Sequence, residues 1–140
     1  MEIGCVLMAS GFGRRFGSNK LLLPVEGVPL VQRALTLYAG VPFARRVVVS
    51  QYESILSLGR EAGFLPLPNP DAARGISASV TLGTRACLDL DGILFGVCDQ
   101  PWLTPGSVSA LLGAFQSHPD RICSLCYGER RGNPALFPSA

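Results

Sequence analysis

The chain has 140 residues, 48% of them hydrophobic and only 16% charged, with 12 Lys+Arg against 10 Asp+Glu and a formal net charge of +2. Such a composition excludes an intrinsically disordered chain, and it supplies no electrostatic drive toward nucleic acid or an anionic membrane surface. The length suits a single domain, residues 1–140, with room for a buried core.

In chain order, Ile3–Met8 is a continuous apolar run that reads as a buried strand leading into a glycine-rich loop. Pro29–Tyr38 carries Leu30, Val31, Ala34, Leu35 and Tyr38 at helical spacing behind a proline suited to a helix start. Arg46–Ser50 is a Val-rich strand, with Arg45-Arg46 read as a solvated pair at its edge. Glu53–Ala62 is a helix stopped by Gly63, Phe64–Leu67 a short strand, and Pro68-Asn69-Pro70-Asp71 a loop. Ser77–Leu88 reads as a helix and Gly92–Cys98 as a second buried strand, ending at Asp99-Gln100-Pro101. Thr104 is placed to cap a helix with Pro105 in its first turn, running to about Gln116. Arg121–Cys126 is a further strand, and residues 130–140 read as a loop with a short extended piece. Trp102 reads as core or pocket wall and His118 as a structural residue at a helix end.

Strands alternating with helices predict an α/β fold of three layers, α/β/α, around a mostly parallel sheet. In such sheets ligands bind beyond the carboxyl ends of the strands, which directs attention to the loops after Met8 and Cys98. No basic leader precedes an apolar segment, no run approaches the length of a membrane span, and five irregularly spaced cysteines do not make a disulfide framework. A cytoplasmic location is expected. Cys123 and Cys126 have CxxC spacing but no second pair, so they read as buried thiols of a core strand.

The first loop, Ala9-Ser10-Gly11-Phe12-Gly13-Arg14-Arg15-Phe16-Gly17-Ser18-Asn19-Lys20, combines three glycines with three cations. Glycines allow a sharp turn that exposes backbone N–H groups, and exposed amides beside cations suit a polyphosphate. Glycines alone would favour a plain surface loop; Arg15 and Lys20 tip the reading toward phosphate. The spacing matches neither a Rossmann fingerprint, since Phe16 stands where the third glycine belongs, nor a Walker A loop. Lys20 is the one lysine among the 12 basic residues. Asp99, at the end of the Ile93–Cys98 run, is open on spacing alone between a divalent-metal ligand and a turn residue.

Residues 8–20 resemble the L-A-A-G-x-S-x-R-M-G-x-x-K signature of MobA-like nucleotidyltransferases, and among them the molybdenum cofactor cytidylyltransferases of MocA type. Leu21-Leu22-Leu23-Pro24 with Gly27-Val28-Pro29-Leu30 extends the likeness. So do Asn69-Pro70 with Gly75, Ser77 and Ser79, then Asp99-Gln100-Pro101-Trp102-Leu103-Thr104, and finally Arg131-Gly132-Asn133-Pro134-Ala135-Leu136-Phe137. The chain departs at Ser10, Gly13 and Cys98, where the family has Ala, Ser and often Gly, all small residues.

The resemblance implies a Rossmann-like fold of the nucleotide-diphospho-sugar transferase type. It implies transfer of CMP from CTP to the phosphate of molybdopterin-bound molybdenum cofactor, with release of pyrophosphate and with Mg²⁺ as cofactor. It assigns Lys20, Arg15 and Asp99 to catalysis, Asp99 to the metal, and Ala9, Ser10, Gly11, Gly13, Arg15, Lys20, Asn69, Gly75 and Ser79 to the nucleotide. Arg131 and Asn133 would face the acceptor. Partners would be CTP or another NTP, molybdenum cofactor and molybdoenzyme maturation proteins, with neither nucleic acid nor membrane. Alternatives are a GTP-dependent guanylyltransferase, a sugar-phosphate nucleotidyltransferase of the same fold, or a non-catalytic nucleotide-binding remnant. Family members continue for one or two more β/α units beyond the R-G-N-P segment, so the resemblance also implies a domain lacking its C-terminal part.

Overall fold

The computed structural model describes residues 1–10, 20–71, 75–127 and 130–139. Its elements run β1 (Ile3–Met8), a 3-10 turn (Lys20–Leu22), β2 (Pro24–Val25), β3 (Val28–Pro29), α1 (Leu30–Ala39), β4 (Arg45–Ser50) and α2 (Glu53–Glu61). There follow β5 (Leu65–Pro68), α3 (Ile76–Ala86), β6 (Gly92–Val97), α4 (Pro105–Ser117), β7 (Cys123–Tyr127) and β8 (Arg130–Pro138). No helix among the described residues is long and apolar enough to cross a membrane.

The main sheet has the order β5-β4-β1-β6-β8-β7. Its β5, β4, β1 and β6 are mutually parallel, whereas β8 runs antiparallel to both β6 and β7. Side chains alternate across each strand and so feed two cores. Cys5, Leu7, Val48 and Leu94 face α1, α2 and α4, where they meet Val31, Leu35, Ile55 and Phe115. Val6, Val47, Val49, Ile93 and Phe95 face the other way, toward Val80, Leu82 and Ala86 of α3. The three-layer α/β/α expectation holds.

Close backbone approach fixes two helices against the sheet. A Cβ on Gly83 of α3 would stand 2.4 Å from Val6 Cγ1, and one on Gly96 of β6 would stand 2.6 Å from the Tyr38 hydroxyl of α1. Both separations are shorter than any real carbon contact, so a side chain at either position would push the helix off the sheet.

The tail departs from expectation. Residues 130–138 form a nine-residue strand rather than a loop with a short extended piece. The connection from β6 through α4 to β7 leaves one strand position empty, and β8 fills it from the opposite direction. Filling that slot satisfies backbone groups on both neighbours, which outweighs the low strand preference of Gly132 and Pro134. Ser124 pairs with Ala135 and Leu125 with Gly132, so Asn133 and Pro134 bulge out of the ladder.

The arginine pair is also engaged rather than merely solvated. Arg45 pairs with Asp89 at 2.7 Å and also donates to Ala86 O, and its guanidinium holds the Asp89 carboxyl below the usual carboxylate range. Arg46 donates to the carbonyls of Tyr38, Ala39 and Val41, satisfying groups left open where α1 ends. In β7, Cys126 is exposed and Cys123 half-buried, so these two thiols are not the buried core pair expected.

Candidate functional site

Strands β1, β4, β5 and β6 point their carboxyl ends the same way, so the segments after Met8, Ser50, Pro68 and Val97 share one edge of the sheet. Ala9 continues β1 by donating its N–H to Val49 O at 2.8 Å, and it is fully buried. The next residue, Ser10, sits at the centre of a buried polar cluster.

Ser10 Oγ donates to Val49 O at 3.3 Å. Asn69, 2% exposed, spends both amide hydrogens on hydroxyls: Ser10 Oγ at 3.2 Å and Ser79 Oγ at 3.1 Å. Its Oδ1 accepts from Asp71 N at 3.1 Å, and its own N–H donates to Ser50 O at 2.9 Å. One asparagine thus joins the ends of β1, β4 and β5 to the first turns of α3. Ser50, fully buried, donates to Ala9 O at 2.7 Å and accepts from Tyr52 N at 3.1 Å. Gln51 Nε2 donates to Ser10 O at 3.1 Å. Buried polar groups are costly unless paired, and this cluster pairs them while fixing where the chain leaves β1.

The structure therefore brings Ala9, Ser10, Asn69 and Ser79 together. Gly75 precedes α3 with φ 87°, a conformation that favours glycine, and it is exposed. Gly11, Gly13 and Arg15 lie outside the described residues. Lys20 opens the 3-10 turn. That turn is anchored by buried Leu21 and by the bond from Leu30 N to Leu23 O at 3.0 Å. The β2–β3 hairpin beyond it is held by Arg33, whose Nε and Nη2 donate to Val25 O.

Asp99 follows β6 and is exposed on the same edge. Among the described residues no three His, Cys, Asp or Glu side chains gather as a metal cage. Gln100 Nε2 donates to Asn133 O at 2.9 Å, and that carbonyl belongs to the bulge of β8. The D-Q-P-W-L-T and R-G-N-P segments are thereby tied together, with Arg131 in β8 two residues before Asn133. Thr104 accepts from Ser107 N at 3.2 Å and caps α4 as expected. Trp102, by contrast, is 63% exposed and does not belong to the core. The turn that carries it is closed by the bond from Leu103 N to Gln100 O, and it packs the half-buried Leu103 against the core instead.

Sequence reasoning missed Ser50, Gln51, Gln100 and Arg33. Ser50-Gln51 had a signal: two polar residues directly after a run of buried valines, on the edge where ligands bind. The two cysteines nearest this edge of the sheet and its middle, Cys98 and Cys5, are buried, and burial pushes both thiols far up. Neither is a nucleophile.

Residues 5–140 match the MobA-like NTP transferase domain. The molybdenum cofactor guanylyltransferase of Rhodobacter capsulatus is 29% identical over 84% of this chain and 62% of its own length. The chain thus spans less than two thirds of that relative. Nicotine blue oxidoreductase of Paenarthrobacter nicotinovorans is 30% identical over 94% of this chain and 69% of its own length. Among solved structures, a nucleotidyl transferase from Methanothermobacter superposes with a TM-score of 0.77 at 25% identity, covering 99% of this chain and 72% of that one.

Proposed function

Because the chain belongs to the MobA-like NTP transferase domain family, we propose that it serves nucleotidyl transfer from CTP to the phosphate of molybdopterin-bound molybdenum cofactor. One observation carries the reading: β1 and β6 are adjacent and parallel, with Met8 paired to Val97, so the glycine-rich loop, rooted in the buried Ser10–Asn69–Ser79 cluster, and the segment bearing Asp99 leave neighbouring strands at one edge of the sheet.

In this reaction an oxygen of the acceptor phosphate bonds to the α-phosphorus, the bond between the α- and β-phosphates breaks, and pyrophosphate leaves. The protein supplies position and charge rather than a covalent nucleophile. Gly11 and Gly13 amides and the Arg15 guanidinium bind the phosphates, and Lys20 meets charge developing at the α-phosphate. Asp99 is the residue that would hold Mg²⁺. An exposed carboxylate at a strand end fits a cation that takes one or two protein carboxylates and draws its other oxygens from phosphates and water. When bound, that ion neutralises phosphate charge. Ala9, Ser10, Asn69, Gly75 and Ser79 stand on the nucleoside side, while Arg131 and Asn133 stand on the acceptor side.

Ala9-Ser10-Gly11 supports CTP, being closer to the cytidylyl L-A-A-G pattern than to L-A-G-G. The guanylyltransferase relative makes GTP the alternative. Pyrophosphate release with CTP or GTP, with and without molybdenum cofactor, decides between them, and a preference for GTP refutes the cytidylyl assignment. Lys20→Ala and Asp99→Ala should each abolish release; wild-type turnover in either variant refutes its role.

A further inference from the structure

We infer that the Trp102 indole is the platform on which a planar heteroaromatic ring of the acceptor stacks. The inference rests on the nucleotidyl-transfer reading above and assigns a ring site that the reading lacks.

Three observations converge. First, Trp102 is the single tryptophan of the chain, and it is 63% exposed. A large aromatic left in water at the carboxyl edge of a parallel sheet lies where ligands of this architecture bind. Second, it is displayed from a turn with little freedom. Leu103 N donates to Gln100 O at 3.1 Å, Leu103 packs on the core, Thr104 caps α4, and Pro101 and Pro105 restrict the backbone on either side. An aromatic held this way loses little entropy when a ring settles on it. The residues on either side of Trp102 in the turn, Pro101 and Leu103, border a small recess with Arg33, Leu37, Cys98 and Gln100, which leaves the indole itself facing solvent.

Third, the sheet order separates two ring sites. Asn69 and Ser79 lie at the β4–β5 flank, beneath the nucleoside side. Trp102 follows β6, on the flank that Gln100 ties to Asn133 of β8. Between the flanks lie the root of the glycine-rich loop and Asp99, where the phosphates meet. A ring on Trp102 therefore belongs to the second substrate rather than to the nucleobase. Stacking on an aromatic side chain is sequence-tolerant and depends on a π-face, so the ligand class is a flat heterocycle bearing a phosphate.

The test uses a pterin monophosphate as probe and the 140-residue chain. Calorimetric affinity for the probe should fall about 10- to 100-fold in Trp102→Ala and stay within about threefold in Trp102→Phe. CTP–Mg²⁺ and GTP–Mg²⁺ affinities should stay within about twofold of wild type in both variants. The melting temperature, set by buried rather than exposed side chains, should hold in both. Wild-type probe affinity in Trp102→Ala overturns the assignment. So does an equal fall in nucleotide affinity, which would place the nucleobase on the indole, and so does a wild-type chain that does not bind the probe. Pyrophosphate release by the wild-type chain is scored separately, and its failure would remove the nucleotidyl-transfer reading while leaving the binding result to stand by itself.

Discussion

Replacing Asn69 with alanine removes the side-chain joint between the ends of β1 and β5 and the first turn of α3, while the backbone bond from Asn69 N to Ser50 O stays. The amide makes hydrogen bonds of 3.2 and 3.1 Å to Ser10 and Ser79, and its oxygen accepts one of 3.1 Å from Asp71. A net contribution of about 1 kcal/mol per buried hydrogen bond gives an upper figure near 3 kcal/mol. Relief comes at Ser10, whose hydroxyl keeps its bond to Val49 O, and at Asp71, which is exposed and open to water. Asn69→Ala should therefore cost about 2–3 kcal/mol and lower Tm by roughly 7–10 °C for a chain of this size. Because Ser10 roots the glycine-rich loop, nucleotide affinity should fall by more than the folded fraction accounts for. Thermal melts followed by circular dichroism and nucleotide titration by calorimetry measure the two effects. Asn69→Asp sharpens the test. A carboxylate cannot donate to two hydroxyls, and burial raises its pKa, so the defect should shrink as pH falls and the neutral acid forms. A Tm within about 2 °C of wild type, with unchanged nucleotide affinity, would refute the role given to the cluster.

Other expectations follow from packing and exposure. Gly83→Ala forces a methyl into Val6 and should destabilise by about 1–3 kcal/mol in urea unfolding despite alanine's better helix preference; a stabilised variant would show that α3 sits farther from the sheet. Arg46→Ala removes the donors to three carbonyls at the end of α1 and a cation–π contact to Phe43 at 5.9 Å, and should cost about 1–2 kcal/mol. Arg46→Lys, lacking the planar fork, should recover only part of it, and full recovery would mean that charge alone matters. A thiol reagent should modify Cys126 rapidly and Cys123 more slowly, whereas Cys5, Cys87 and Cys98 should react only with unfolding, which mass spectrometry of the labelled chain resolves.

What could be read in advance follows from how local each feature is. Val47–Val49 and Ile93–Phe95 are buried on both faces of a parallel sheet, so their apolar runs declare strands without help from context. Thr104 and Pro105 declare a helix start through chemistry confined to one turn. Strand β8 could not be seen this way. Arg130, Arg131, Gly132, Asn133 and Pro134 have no strand preference of their own, and only a vacancy between β6 and β7, set by elements far away in sequence, makes them one. The site divides along the same line. Asn69 and Ser79 were legible through a motif, yet that Asn69 acts inward on two hydroxyls is a tertiary fact. The exposure of Trp102 runs against the tendency of large aromatics to be buried, so composition pointed the wrong way.

The position of β8 also orders events during synthesis. In the described sheet β7 pairs with β8 alone, and β8 lies between it and β6. A nascent chain that has released Tyr127 but not residues 130–138 can close β5-β4-β1-β6 and its buried polar cluster, while β7 has nothing to pair with. The β4–β5 flank can thus close first, and the flank bearing Asn133 joins only when the return strand leaves the ribosome.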